Sequence, residues 1–141
     1  MNEGPKDLPA DDTPVEGTVP IYRLVKTTQC SVEAGQWEFQ SGAFDNNEGD
    51  DMSVVLGDTL EAMGRLPDDL PARMFPAEAD RWGIAVVQAR ALQDEAQELR
   101  RTPKPIERAH GDAQGKKGSS RRRRLKKSAE WVRRPDAPTD A

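Results

Sequence analysis

The separation of charge along the chain is the feature that most constrains its fold. Residues 1–115 carry 11 basic against 22 acidic side chains, a net charge of −11, whereas residues 116–141 carry ten basic against three acidic ones, a net charge of +7. Within Gly115–Arg134, the one acidic residue is Glu130. Charge asymmetry of this kind favours either a basic segment that folds back over its own acidic body or one that contacts an anionic partner.

The apolar residues predict one modest core. The chain has 141 residues, the size of an ordinary domain. Its first 20 residues hold four prolines, two glycines and five acids with almost no large apolar side chain. Such a composition does not offset the entropy of ordering. We therefore expect a disordered acidic segment at 1–20, a single domain at 21–135 that ends in a basic helix, and a disordered tail at 136–141.

The cysteine content and the hydropathy pattern bear on the compartment. Cys30 is the only cysteine, so no internal disulfide can form, which is typical of the reducing cytosol. The sequence shows no bilayer-length apolar run and no signal segment at its N-terminus. These features predict a cytoplasmic protein without membrane contact, and they leave its oligomeric state open.

Short alternating segments predict strands in the first half of the chain. The candidates are Ile21–Lys26, Gln36–Gln40 and Met52–Leu56. In the first of these, Ile21 and Arg23 would share one face of a sheet, with Tyr22 and Leu24 on the other. A short helix over residues 58–66 follows, with Asp58 or Thr59 as its cap.

Residues 77–101 fit two different structures. Their apolar spacing fits one long helix, whereas Gly83 and Ile84–Val87 fit a buried strand. We favour a strand at Trp82–Val87, a helix at Gln88–Glu95, a strand at Gln97–Arg101 and an antiparallel return at Ile106–Gln114. With a last helix from Ser119 or Ser120 to about Trp131, the sequence predicts an α+β fold with a small, mainly antiparallel sheet and two or three helices.

The order of these segments resembles that of a group of small uncharacterised bacterial proteins. The matching stretches are Tyr22-Arg23, Ser41-Gly42-Ala43-Phe44, Met52-Ser53-Val54, Arg101-Thr102-Pro103, Ala109-His110, Gly115-Lys116-Lys117 and Trp131-Val132. The resemblance implies a bacterial or bacteriophage origin and one compact domain. It implies no activity.

The basic helix carries the first functional hypothesis. Leu125, Ala129 and Val132 form a narrow apolar stripe, so the helix would dock by one face and expose a basic ridge on the other. The candidate anion-binding residues are Arg121, Arg122, Arg123, Arg124, Lys126, Lys127 and Trp131. Cations of this kind bind phosphates, and an adjacent Trp ring can stack on a base. The sequence thus predicts a small interaction protein whose partner is a nucleic acid or an acidic protein, unless the helix clasps its own acidic body.

A second hypothesis is a small phosphate- or nucleotide-handling enzyme, ribonuclease-like or ADP-ribosyl-transferring. Its candidate catalytic residues are Arg23, Ser41 and His110. An Arg fork and a Ser hydroxyl can hold a phosphate, and a His can move a proton near neutral pH. Each residue also fits an ordinary structural role, so the sequence leaves open whether the protein is an enzyme.

The sequence favours neither a metal site nor a cofactor. His110 is the only histidine, and the spaced Cys and His pairs typical of zinc sites are absent. The sequence also contains none of the glycine-rich loops that cradle phosphates. We therefore expect no bound metal and no cofactor.

Overall fold

Eight strands and four α-helices make up the structure, a computed structural model that describes residues 8–47 and 49–137. The strands are β1 (Pro20–Lys26), β2 (Cys30–Glu33), β3 (Gln36–Phe39), β4 (Asp51–Leu56), β5 (Trp82–Gln88), β6 (Glu98–Arg101), β7 (His110–Gln114) and β8 (Glu130–Arg133). The α-helices are α1 (Gly57–Ala62), α2 (Leu70–Met74), α3 (Ala89–Gln93) and α4 (Ser119–Ser128). This is the α+β fold with a mainly antiparallel sheet that the sequence predicts.

Strand β1 lies inside the main sheet, whose strand order is β6-β7-β4-β1-β5-β8. All strand pairings in the main sheet are antiparallel, and β2 and β3 form a separate antiparallel hairpin. β1 pairs with β5 along its whole length but with β4 only at Ile21 and Tyr22. β1 and β4 therefore separate beyond Tyr22, which opens space between these two strands.

Side-chain alternation divides the core into two clusters, one on each face of the sheet. The first face carries Ile21 and Val25, packed with Leu92 of α3 and Leu125 of α4. The second face carries Leu24, together with buried residues of α1 and α2. The sheet is therefore covered on both faces, and the predicted division between Ile21 and Leu24 is confirmed.

The segment at 77–101 follows the favoured alternative. A 3₁₀ turn at Pro76–Arg81 leads into β5, α3 and β6, so one long helix is excluded. Ile84 and Ala85 are fully buried between β1 and β8, where a continuous apolar run fits a strand that is covered on both faces.

The end of the basic helix differs from the sequence prediction. α4 begins after Gly118 and ends at Ser128, and Trp131 lies in β8 rather than on the helix. β8 pairs with β5, and the Trp131 ring stacks on Phe39 with 4.0 Å between the ring centroids. Covering the edge of β5 and burying this ring outweigh the local preference for continued helix. The domain therefore ends in a strand.

The start of α1 and the path of residues 8–20 also differ from the sequence prediction. α1 begins at Gly57 and has no side-chain cap, because Leu56 occupies the cap position. Asp58, a predicted cap, lies in the first turn, where its carboxylate binds Arg101 at 2.7 and 2.9 Å. Residues 1–7 lie outside the described part, but residues 8–20 run along the body, and Val15 is buried in the first-face core. Arg101 also donates to the Thr13 carbonyl at 2.9 Å. The contact of Val15 with the core differs from the disorder expected for 1–20.

The chain after β8 is described as far as residue 137. The Ala137 N–H donates to the Asp80 carbonyl at 2.9 Å, and the Trp37 indole donates to the Ala137 carbonyl at 3.1 Å. These contacts join the start of the predicted tail to the body. Residues 138–141 lie outside the described part.

Candidate functional site

Helix α4 presents its basic face to solvent because its other side is packed. Leu125 is 1% exposed, and the helix lies on the 3₁₀ turn Ser41–Phe44. At 100° per residue, Ser120, Arg123 and Lys127 lie opposite Leu125. These residues are all exposed. The predicted basic ridge is therefore present over the helical part of the segment.

Part of the charge on α4 is neutralised by the acidic body. The Arg124 guanidinium makes two 2.8 Å hydrogen bonds to the Glu95 carboxylate, and Arg122 pairs with Asp45 at 3.1 Å. Arg121 donates to the Lys116 carbonyl at 3.0 Å. Binding of the helix to its own acidic body, one of the two alternatives from the sequence, thus explains the ion pairs of Arg122 and Arg124.

Three cations of α4 form neither an ion pair nor a side-chain hydrogen bond within the described residues. Arg123, Lys126 and Lys127 are exposed and make no ion pair with any residue in 8–47 or 49–137. Together with Ser120 and Arg124 they line a shallow groove of about 500 Å³. We call Arg123, Lys126 and Lys127 the free basic ridge.

Trp131 does not belong to this ridge. Its ring is half-buried between Phe39, on which it stacks, and the Arg134 guanidinium, 5.5 Å from the ring centroid. Arg134 is itself held by Glu38 at 2.9 Å. The ring is therefore used in packing, and stacking it on a base would require β8 to move.

A second candidate site is a cleft of about 290 Å³ in the gap where β1 and β4 separate. It opens on the second face of the sheet, and Arg23 and Val54 reach it from the first-face side of their strands. Its described lining consists of Arg23, Leu24, Gln29, Asn47, Ser53, Val54, Val55, Met74, Phe75, Trp82, Lys104, Ile106 and His110. Arg23 and His110, two of the three predicted catalytic residues, thus share one cleft. Ser41 does not line it, because the turn that carries Ser41 packs beneath α4 on the first face. The hydroxyl-bearing residue of the cleft is Ser53.

The Arg23 guanidinium is already occupied by acceptors of the protein. It donates to the carbonyls of Ala43 and Ser53 at 3.1 and 2.9 Å and to the Asn47 side chain at 2.9 Å. Burial lowers the pKa of Arg23 to about 10, and the nearby Asp45 opposes that shift. Arg23 therefore anchors the 43–47 loop to β4 across the gap, a structural role that leaves little of its fork for a phosphate.

His110 has one free ring nitrogen. Its Nδ1 lies 3.0 Å from the Thr102 carbonyl and 2.9 Å from the Thr102 hydroxyl. The carbonyl can only accept and the hydroxyl can accept as well, so a proton on Nδ1 of the neutral ring suits both oxygens. Nε2 has no hydrogen-bond partner among the described residues, which leaves its lone pair unused. Burial lowers the pKa of His110, an effect reinforced by Lys104 and opposed by the Thr102 carbonyl, Asp112 and Glu107. The ring is therefore a neutral acceptor at pH 7.

Lys117 is a buried cation that the sequence does not distinguish from the rest of the basic run. It is 6% exposed, and its ammonium donates to the carbonyls of Ala113 and Gly115 at 2.9 and 3.0 Å and to the Asn46 side chain. Burial lowers its pKa to about 8, although Asp50 and other acids oppose the shift. Lys117 thus holds the 43–47 loop at Asn46, and Arg23 holds the same loop at Ala43 and Asn47.

Glu107 fixes the loop that covers the cleft. Its carboxylate is 0% exposed, accepts two 2.8 Å hydrogen bonds from Arg65, and accepts a third from the Ala109 N–H at 3.0 Å. Burial alone would raise the pKa of Glu107, but these bonds outweigh burial and lower the pKa. The pair ties the 102–109 loop to the turn after α1.

Comparison with known proteins identifies no relative. No family model, no curated protein and no solved structure matches this chain. Within residues 8–47 and 49–137, no three His, Cys, Asp or Glu side chains are grouped so that they could hold a metal ion. In the same part of the chain, no helix has the length and apolar character needed to cross a bilayer.

Proposed function

We propose that this chain is a small interaction protein whose helix α4 contacts an anionic partner, a protein or a nucleic acid. The observation that carries the proposal is the free basic ridge. Arg123, Lys126 and Lys127 stay exposed and unpaired in the described structure, although acids of the body pair with Arg122 and Arg124 on the same helix. A surface left cationic in this way attracts polyanions.

The arrangement favours recognition by charge rather than by base stacking. The Trp131 ring packs on Phe39, so the ridge offers cations without an aromatic platform. Arg123 and Lys127 are one turn apart, a rise of about 6 Å along the axis. Three such contacts predict a slope of about −2 for the logarithm of the binding constant against the logarithm of salt concentration on a single strand.

The test is a binding titration with two labelled probes, a single-stranded oligonucleotide and an oligoglutamate peptide, at several salt concentrations. Replacement of Arg123, Lys126 and Lys127 by Gln should abolish binding to the preferred probe and leave folding intact. The matched control replaces three exposed cations outside α4, Arg81, Arg100 and Arg108, and it should retain most of the affinity. The proposal fails if neither probe binds at low salt, if affinity is indifferent to salt, or if the two triple variants behave alike.

The enzyme hypothesis receives less support from the geometry. Of Arg23, Ser41 and His110, the last alone has a free polar atom at the cleft, because Arg23 is occupied and Ser41 lies beneath α4. We therefore do not propose a reaction for the cleft.

A further inference from the structure

The cleft on the second face has apolar walls. These are formed by Leu24, Val55, Met74, Phe75, Trp82 and Ile106. The rings of Phe75 and Trp82 stack on each other with 4.0 Å between centroids and 5° between planes, which makes a rigid part of the wall. A volume of about 290 Å³ is at the lower end of the range for ligand pockets. It suits a ligand of one ring rather than a chain or a dinucleotide.

The charge of the lining is positive. Arg23 and Lys104 bring positive charge to the cleft, the His110 ring is neutral, and no carboxylate occurs among the described lining residues. The buried Glu107 carboxylate nearby is neutralised by Arg65 at 2.8 Å. Lys104 is exposed and forms no ion pair within the described residues. It is therefore available to meet an acidic group that enters from solvent.

The polar group at the inner wall is an acceptor. The Thr102 carbonyl and hydroxyl both face Nδ1 of His110, and a proton on Nδ1 suits both oxygens. In this form of the neutral ring, Nε2 can only accept a hydrogen bond. His110 itself is 3% exposed. A ligand that fills the cleft would satisfy this lone pair with an O–H or N–H group.

We propose that the cleft binds a small aromatic anion that also carries a hydrogen-bond donor. Its ring packs against the wall that contains Phe75 and Trp82, its acidic group meets Lys104, and its donor reaches Nε2 of His110. The assignment is independent of helix α4, because it uses none of the residues of the free basic ridge.

The test uses three related probes in NMR titrations of the isotope-labelled full chain. 4-Hydroxybenzoate has both the acid and the donor, benzoate lacks the donor, and 4-hydroxybenzyl alcohol lacks the charge. We expect 4-hydroxybenzoate to bind most tightly, in the millimolar range or below, and to shift the His110 Nε2 and Trp82 indole resonances. Since the chain has one histidine, the imidazole signals need no further assignment. Absence of these shifts, or equal binding of all three probes, would overturn the proposal.

A pair of charge reversals separates this site from the basic helix. Lys104→Glu and Lys127→Glu change the net charge equally, and both side chains are exposed, so folding should survive in each. Lys104→Glu should weaken 4-hydroxybenzoate binding by about tenfold or more, because attraction becomes repulsion, and should leave polyanion binding unchanged. Lys127→Glu should weaken polyanion binding and leave 4-hydroxybenzoate binding unchanged. Equal loss of 4-hydroxybenzoate binding in both variants would mean that net charge rather than the cleft governs it, and the site assignment would then be wrong.

Discussion

Replacement of Glu107 by Gln should destabilise the fold strongly. The carboxylate is fully buried, and the variant loses the charge that receives two 2.8 Å hydrogen bonds from Arg65. Loss of one partner from a buried ion pair costs about 3–5 kcal/mol. The Arg65 side chain is 17% exposed and lies 3.7 Å from Asp69, so it can recover some solvation. We therefore expect the lower end, about 3 kcal/mol, with a fall in Tm of about 10 °C.

Equilibrium unfolding in urea measures this change, and pH gives a second signature. The pKa of Glu107 is lowered in the folded state, so its stabilisation is complete above the unfolded pKa of about 4.3 and is lost as pH falls through the folded value. The difference between wild type and Glu107→Gln should therefore be constant near neutrality and shrink in acid.

An exposed ion pair provides the control. The Glu98 side chain is 65% exposed and lies 3.2 Å from Arg100, so Glu98→Gln should cost less than about 1 kcal/mol. If Glu107→Gln lowers the free energy of unfolding no more than Glu98→Gln does, the buried ion pair is not the source of stability inferred above. A difference from wild type that persists unchanged at low pH would lead to the same conclusion.

Three further measurements test the packing and the buried groups. Gly83→Ala should cost about 1–3 kcal/mol in urea unfolding, because its Cβ would lie 2.7 Å from the Trp131 ring; Gly42→Ala, which meets nothing within 4 Å, should be nearly neutral. Burial raises the pKa of Cys30 to about 11, so its reaction with a disulfide reagent at pH 8 should be at least about a hundredfold slower in the native protein than in urea, and equal rates would contradict its burial. NMR should show His110 titrating below its ordinary pKa of about 6.5, so its contribution to stability declines as pH falls through that region; an apparent pKa above this value would contradict the buried neutral ring.

The elements that the sequence predicts well are those whose local pattern agrees with their final surroundings. β1 alternates between two core clusters, and β5 is a short apolar run buried in the sheet. In both segments the side-chain pattern and the tertiary environment favour the same structure. The order of strand, helix and strand across 77–101 followed from this agreement.

The missed elements lack that agreement. β3 coincides with the strand predicted at Gln36–Gln40, but its partner β2 is missed. The two strands are joined by Ala34 and Gly35, both with positive φ, and an Ala-Gly pair is a weak signal for such a turn. α2 contains Pro71, which looks like a helix breaker in sequence but is tolerated in a first turn.

Tertiary contacts decide the rest. Trp131 follows a helix-forming stretch, and its strand exists because β5 offers an edge and Phe39 offers a ring. The cleft arises from the separation of β1 and β4, which no local sequence pattern predicts. The sequence could therefore supply Arg23 and His110 as candidates, but it could not show that acceptors of the protein occupy Arg23 or that Ser41 does not line the cleft.

The position of β8 in the strand order has a consequence for synthesis on the ribosome. β1 is made early and acquires β4 and β5 on its two sides, whereas β8 is the last of the described strands to emerge and covers the outer edge of β5. Until then the apolar stretch Ile84–Val87 has an open edge, and open edges of this kind recruit other chains. Pairing of β8 with β5 should therefore protect the chain from aggregation, and a chain truncated before β8 should be insoluble.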